Sequence, residues 1–159
     1  NLIIFLLKKL AGLHDNMKPC LIISYNYKYI IPDSIISLLP DKVINLHTSY
    51  LPWNKGSNPN FWSFIDNTPK GITIHLIDAH LDTGCILYQK EYFFDEAVET
   101  FRTTYDKLNN GIVELFCEHW DEIKSGTYTK KPQTAGGTYH TMHDLEIYSA
   151  THPFRWETT

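Results

Sequence analysis

The hydrophobic pattern opens with Leu2, Ile3, Phe5, Leu6, Leu10 and Leu13 at near-helical spacing, which predicts a helix over residues 2–13, ended by Met17-Lys18-Pro19. Residues 20–27, CLIISYNY, form a short apolar and β-rich run that predicts a buried strand. Pro32-Asp33-Ser34 opens a second helical stretch, IISLLP, which Pro40 ends. KVINLH at 42–47 is the next strand, so strand, helix and strand alternate as in a parallel α/β sheet. TSYLPWNKGSNPN at 48–60 is a loop dense in Pro, Gly and Asn, with a helix starting near Asn60. GITIHLID at 71–78 alternates with period two. CILYQKEYFF at 85–94 follows after only six residues, which predicts antiparallel pairing between them. Over 95–123 a helical stripe carries Ala97, Phe101, Tyr105, Leu108, Ile112, Leu115 and Phe116. Beyond Gly126 the chain turns polar and aromatic without clear periodicity.

Composition narrows this picture. With 159 residues, 43% hydrophobic and 20% charged, the chain suits one compact domain that needs no metal or disulfide staple. The net charge of −4 and the scattered Lys and Arg show no basic stripe, so nucleic acid is not the expected partner. Cys20, Cys85 and Cys117 lie far apart with no C-x-x-C spacing, which reads as a reduced, cytoplasmic protein, with Cys20 and Cys85 acting as small hydrophobes in apolar runs. The apolar run Leu2 to Leu7 is followed, not preceded, by Lys8 and Lys9, unlike a signal peptide. No run approaches the ~20 apolar residues of a membrane-spanning helix.

Candidate chemistry sits in three places. Asn45 and His47 end a predicted strand, at the sheet edge where open α/β proteins bind ligands. Period two sends both side chains to one side. An amide donor beside an imidazole suits acyl transfer, the amide stabilising an oxyanion and the imidazole handling the proton. The plain alternative is a strand end whose Asn caps a turn. Leu81-Asp82-Thr83-Gly84 is either a turn or the tripeptide of aspartic proteases. The protease reading needs a second such carboxylate and an all-β fold, and the chain offers neither. The third place is the loop Gly56-Ser57-Asn58-Pro59-Asn60-Phe61-Trp62. His140 and His143 share an i, i+3 spacing but gather no further ligands, so no metal is expected.

The order INLHTSYLP, GSNPNFW, GITIH and LDTG resembles the N10-formyltetrahydrofolate-dependent formyltransferase family. The strong match spans residues 43–91 and a looser one extends from about residue 20 to 123. The resemblance implies a Rossmann-like α/β fold: a mixed, mostly parallel sheet flanked by helices. It implies a catalytic domain over 1–125 that lacks the family's opening β-α-β unit, and a partly irregular C-terminal extension over 126–159. It carries the catalytic roles to Asn45, His47 and Asp82, with Asp82 orienting His47 and raising its proton affinity. His75 matches the histidine of the family's Gly-x-Thr-x-His strand, either in a direct role or bonded to a neighbour on the sheet face. The folate cosubstrate is expected near Tyr25, Tyr27, Ile30 and His80. The acceptor amine is expected near Asn58, Asn60, Trp62 and Tyr139. The loop Asn58-Pro59-Asn60-Phe61-Trp62 and the segment Gly136-Gly137-Thr138-Tyr139-His140 look like the sugar N-formyltransferase branch. A nucleotide-linked 4-amino- or 3-amino-deoxysugar is therefore the implied acceptor. Methionyl-tRNA, glycinamide ribonucleotide, hydrolysis of the folate, or an inactive remnant stay open beside it. A membrane partner is not expected, and a homodimer that covers a bare sheet edge stays open.

Overall fold

The computed structural model describes residues 19–157. The helix expected over 2–13 lies outside the described residues. A four-stranded mixed sheet runs in the order β1-β2-β4-β5, formed by Ile22–Tyr25, Val43–His47, Lys70–Leu76 and Ile86–Tyr92. Between β1 and β2 the chain makes one helical turn, α1 (Asp33–Ile36), shorter than the stretch expected up to Pro40. β1 and β2 are parallel, while β2–β4 and β4–β5 are antiparallel. The mixed sheet is thus present, and within these four strands a single pairing is parallel. The reason is local: β4 returns through the compact segment 48–69, and β5 pairs with it directly after a short loop.

Period-two alternation divides the sheet into a greasy face and a polar one. Ile44 and Leu46 of β2 and Ile72, Ile74 and Leu76 of β4 join Leu87, Leu108, Ile112, Leu115 and Ile123 in one core cluster. Each such side chain contributes about 1.5–3 kcal/mol by leaving water. The helical partners come from α3 (Phe101–Glu118) and α4 (Trp120–Ser125). A capping box starts α3: the Thr100 hydroxyl accepts from the Thr103 N–H at 3.1 Å, and the Thr103 hydroxyl accepts from the Thr100 N–H at 2.9 Å. Helix α2 (Pro59–Ile65) lies against α3 and begins with Pro59 at its first position, where a missing N–H costs nothing. Gly84 is required by close approach, because a Cβ there would sit 1.9 Å from the Leu76 carbonyl oxygen.

Past Gly126 the structure adds two elements that periodicity did not reveal. Tyr139–His140 forms β6, which pairs in parallel with β3 (Lys55–Gly56). Met142–Thr151 forms α5, with a capping box between Thr141 and Asp144. No residue of α5 is fully buried and its apolar positions spread around the helix, so no stripe marks it in the sequence. The three thiols are free, and Cys20 is exposed, contrary to the expectation that it packs as a small hydrophobe. No helix among the described residues is long and apolar enough to cross a membrane.

Candidate active site

The polar face of the sheet builds the centre. Cross-strand register sets Asn45 opposite His75 and His47 opposite Thr73, so two strands deliver four polar side chains to one patch. Thr73 donates its hydroxyl to the Ser49 carbonyl at 2.7 Å and accepts from the Leu51 N–H at 3.2 Å, pinning the loop after His47. The Leu51–Pro52 peptide in that loop is cis. Asp82 arrives from the β4–β5 loop. Asp78 shapes that loop by accepting from the His80 N–H at 3.1 Å and the Thr83 hydroxyl at 2.6 Å.

These groups converge. The Asn45 amide donates to Asp82 Oδ1 at 3.2 Å and lies 3.3 Å from His75 Nε2. His75 Nε2 is 3.4 Å from Asp82 Oδ1, and His47 Nε2 is 3.7 Å from Asp82 Oδ2. The Gly56 N–H donates to Asp82 Oδ2 at 2.8 Å. Carbonyl oxygens only accept, and this fixes both histidine tautomers. His75 Nδ1 contacts the Leu76 carbonyl at 2.7 Å, so Nδ1 carries its proton and Nε2 accepts from Asn45. His47 Nε2 contacts the Asn54 carbonyl at 3.1 Å, so in the neutral ring Nε2 carries the proton and Nδ1 is the basic atom.

Electrostatics sorts the roles further. Burial pushes His47 below the ordinary histidine value; Asp82 and the Asn54 carbonyl oppose this, and His75 reinforces it. Asp82 raises the proton affinity of His47 as expected, but the net shift is downward. Asp82 does pull upward, but desolvation of a buried imidazolium is the larger effect. For Asp82 itself burial pushes upward, yet His47, His75 and the Gly56 N–H together hold the carboxyl well below the usual carboxylate range. At neutral pH the pair rests as a neutral imidazole beside a carboxylate.

The centre opens into a cleft of ≈ 640 Å³, within the range of small-molecule sites. Asn45, His47, His75 and Asp82 all line it, as do Tyr27, Ile30 and His80 of the expected folate residues. Asn58 and Tyr139 reach it as well. Three expected residues do not. Tyr25 sits at a position of β1 that alternation turns toward α3, where its hydroxyl donates to Asn109 at 2.8 Å. Asn60 and Trp62 are buried because the first turn of α2 faces inward. The Asn60 amide donates to the Phe101 carbonyl at 3.0 Å and the Thr104 hydroxyl at 3.1 Å. Trp62 stacks on His140 at 4.0 Å. His140 and His143 do not act together: each pairs with its own carboxylate, Asp66 and Glu146.

Sequence reasoning missed Gly56, whose N–H holds Asp82, and Ser57, His140, Thr141 and Met142, which line the far wall. Gly56 has φ +89, and a Cβ there would meet the His140 carbonyl oxygen at 2.3 Å, so only glycine fits. The motif Lys55-Gly56-Ser57 carried that signal in its glycine.

A mixed sheet thus gathers an Asn, two His and an Asp at one cleft. The chain belongs to the formyl transferase family, whose profile matches residues 6–118. It is similar to the formyltransferase PseJ from Anoxybacillus kamchatkensis, solved in complex with UDP-4,6-dideoxy-4-formamido-L-AltNAc and tetrahydrofolate. The two are 45% identical with a TM-score of 0.84, over 92% of this chain and 79% of that one. It is 33% identical to the dTDP-4-amino-4,6-dideoxyglucose formyltransferase of Mycobacterium tuberculosis, over 79% of this chain and 53% of the relative. It is 37% identical to the methionyl-tRNA formyltransferase of Thermodesulfovibrio yellowstonii, over 84% of this chain and 42% of the relative. The chain thus spans about half the length of the curated relatives it matches.

Proposed function

We propose that this chain carries the reaction centre of an enzyme that moves a formyl group from N10-formyltetrahydrofolate to the amine of a nucleotide-linked amino-deoxysugar. The observation that carries the reading is the convergence of Asn45, His47 and Asp82 on one open cleft. The 45% identity to a formyltransferase solved with a nucleotide-linked formamido sugar supports the acceptor class, with the amine at C4 of the sugar. The three free thiols support a reducing, cytoplasmic setting.

The acceptor amine attacks the formyl carbon, and the carbonyl becomes a tetrahedral oxyanion. The Asn45 amide nitrogen lies within reach of Asp82 Oδ1 and His75 Nε2 at rest. The oxyanion competes with these partners, and the Asn45 amide turns a hydrogen toward the developing charge. His47, resting neutral, takes the proton released by the attacking nitrogen on Nδ1. The Asp82 carboxylate stabilises the imidazolium as it forms, where the buried ring alone would resist charge. When the carbon–N10 bond breaks, that proton goes to the departing folate nitrogen, giving the formamide and tetrahydrofolate. The half-buried Tyr27 and the apolar Ile30 offer the cleft a flat, greasy wall against which a pterin ring can lie.

The test is tetrahydrofolate release from N10-formyltetrahydrofolate with nucleotide-linked 4-amino and 3-amino sugars, glycinamide ribonucleotide and methionyl-tRNA. The expected result is turnover with a 4-amino sugar, lost about 10²–10⁴-fold in His47→Asn and about 10²–10³-fold in Asn45→Ala with folate affinity kept. Turnover with methionyl-tRNA alone would move the chain to the branch its 37% identical relative represents. Full turnover in either variant would overturn the assignment of the centre.

A further inference from the structure

The segment from Lys131 to Met142 runs alongside the proposed reaction centre, its last residues lining the cleft, and touches the centre's supports at two points. At the first, the Gln133 side-chain amide donates to the Asp82 carbonyl at 2.8 Å and to the Gly84 carbonyl at 2.9 Å. Asp82 has φ +54, a left-handed conformation that a non-glycine residue keeps only when its surroundings hold it. Gln133 spends both amide hydrogens on this turn while its own Oε1 stays buried without a partner. An unpaired buried acceptor is costly, so the two donated bonds are what the position gains.

At the second point, Thr138 encloses Asn54. The Asn54 N–H donates to the Thr138 hydroxyl at 2.9 Å, and the same hydroxyl donates to Asn54 Oδ1 at 3.0 Å. The Lys55 N–H donates to the Thr138 carbonyl at 2.9 Å. Asn54 is fully buried and also left-handed, at φ +54. The Asn54 carbonyl is the acceptor that takes the Nε2 proton of His47. The next residue but one, Gly56, holds Asp82 Oδ2, and its strand pairs with the Tyr139–His140 strand that follows Thr138. Both titrating members of the centre therefore rest on backbone groups whose positions are set from 131–142.

We infer that Gln133 and Thr138 are positioning residues: Thr138, through Asn54, fixes the ring orientation and tautomer of His47, and Gln133 fixes the turn that aims Asp82. The inference rests on the proposed formyl transfer only for its kinetic consequence. The partner of a catalytic imidazole selects which nitrogen bears the proton, so disturbing Asn54 exchanges an Nε2–H ring for a mixture of tautomers. Thr138→Val keeps the shape of the side chain and deletes its hydroxyl. Thr138→Ser keeps the hydroxyl.

The decisive measurement is the ¹⁵N spectrum of the histidines in the whole chain at neutral pH. In the parent protein His47 is expected as a single Nε2–H tautomer. In Thr138→Val it becomes a mixture, while the signals of His119, paired with Glu122 on the surface, do not move. Thr138→Ser restores the parent pattern. In an assay with the preferred amine, Thr138→Val and Gln133→Met are expected to lower kcat about 10–100-fold with KM for the folate kept, the size of loss seen when a supporting partner is removed. An unchanged His47 tautomer in folded Thr138→Val overturns the inference, as does a shift in that variant that Thr138→Ser fails to reverse. Because the spectrum needs no substrate, a chain that transfers no formyl group defeats the proposed function and leaves this test standing.

Discussion

The two halves of the proposed reaction centre are built in opposite ways. Asn45, His47 and His75 stand on β2 and β4, where the ladder and the Ile-rich face against α3 determine their placement twice over. Slipping the register by one residue would turn Ile44 and Leu46 toward the cleft, so the core itself enforces the polar face. Asp82 and Asn54 stand on loops and Gly56 ends the two-residue strand β3, all three with left-handed backbone, and Asp82 and Asn54 are held by hydrogen bonds from Gln133 and Thr138, 51 and 84 residues away in the chain. The sheet supplies rigidity without tuning, and the loops supply tuning at the cost of strain. Site-directed changes should therefore separate the two: loop changes alter chemistry, and changes beside the sheet alter stability.

The largest effect is expected from Asp82→Asn. It removes the charge that stabilises the imidazolium while keeping a side chain of the same shape, so turnover should fall at least about 100-fold. The NMR titration midpoint of His47 should move further down, because the carboxylate is what opposes burial there. A midpoint that stayed in place would show that the two halves are not electrostatically joined. Next comes Asn60→Ala, at the buried start of α2. It should cost about 1–3 kcal/mol in urea unfolding, because the Phe101 carbonyl and Thr104 hydroxyl lose a buried donor. KM for the sugar should hardly change; a large rise would return Asn60 to the acceptor site.

The smallest effect is a pH dependence of stability. His47 is depressed in the folded protein, so the unfolded chain takes up that proton first as pH falls below the ordinary histidine value of about 6.5. The stability associated with the neutral ring is present above that pH and is lost on acidification through the folded value. Asp82, also depressed, adds a loss of the same sign at lower pH, below the ordinary carboxylate range. Denaturant midpoints measured from pH 7.5 to 5 should fall in the parent and fall less in His47→Asn. Equal slopes would mean that the ring is not held neutral by burial.

Much of this architecture is legible in the chain as written. The alternation in GITIHLID and the stripe through Leu108, Ile112 and Leu115 predict β4 and α3, because burial on one face leaves a period in the sequence. The order of Asn45, His47 and Asp82 points to the proposed centre, since period two sends the first pair to one side and a turn supplies the third. The inward rotation of Asn60, Trp62 and Tyr25 was decided by tertiary packing alone. Tyr25 and Asn60 carry polar handles that suit a cleft or a buried hydrogen bond equally well, and their partners on α3 select between them, whereas Trp62 lays its ring on His140. The same holds for α5 and for the contacts of Gln133 and Thr138, which leave no periodic trace. Hydrogen bonds to backbone carbonyls depend on where distant loops meet, and that meeting is fixed by the fold.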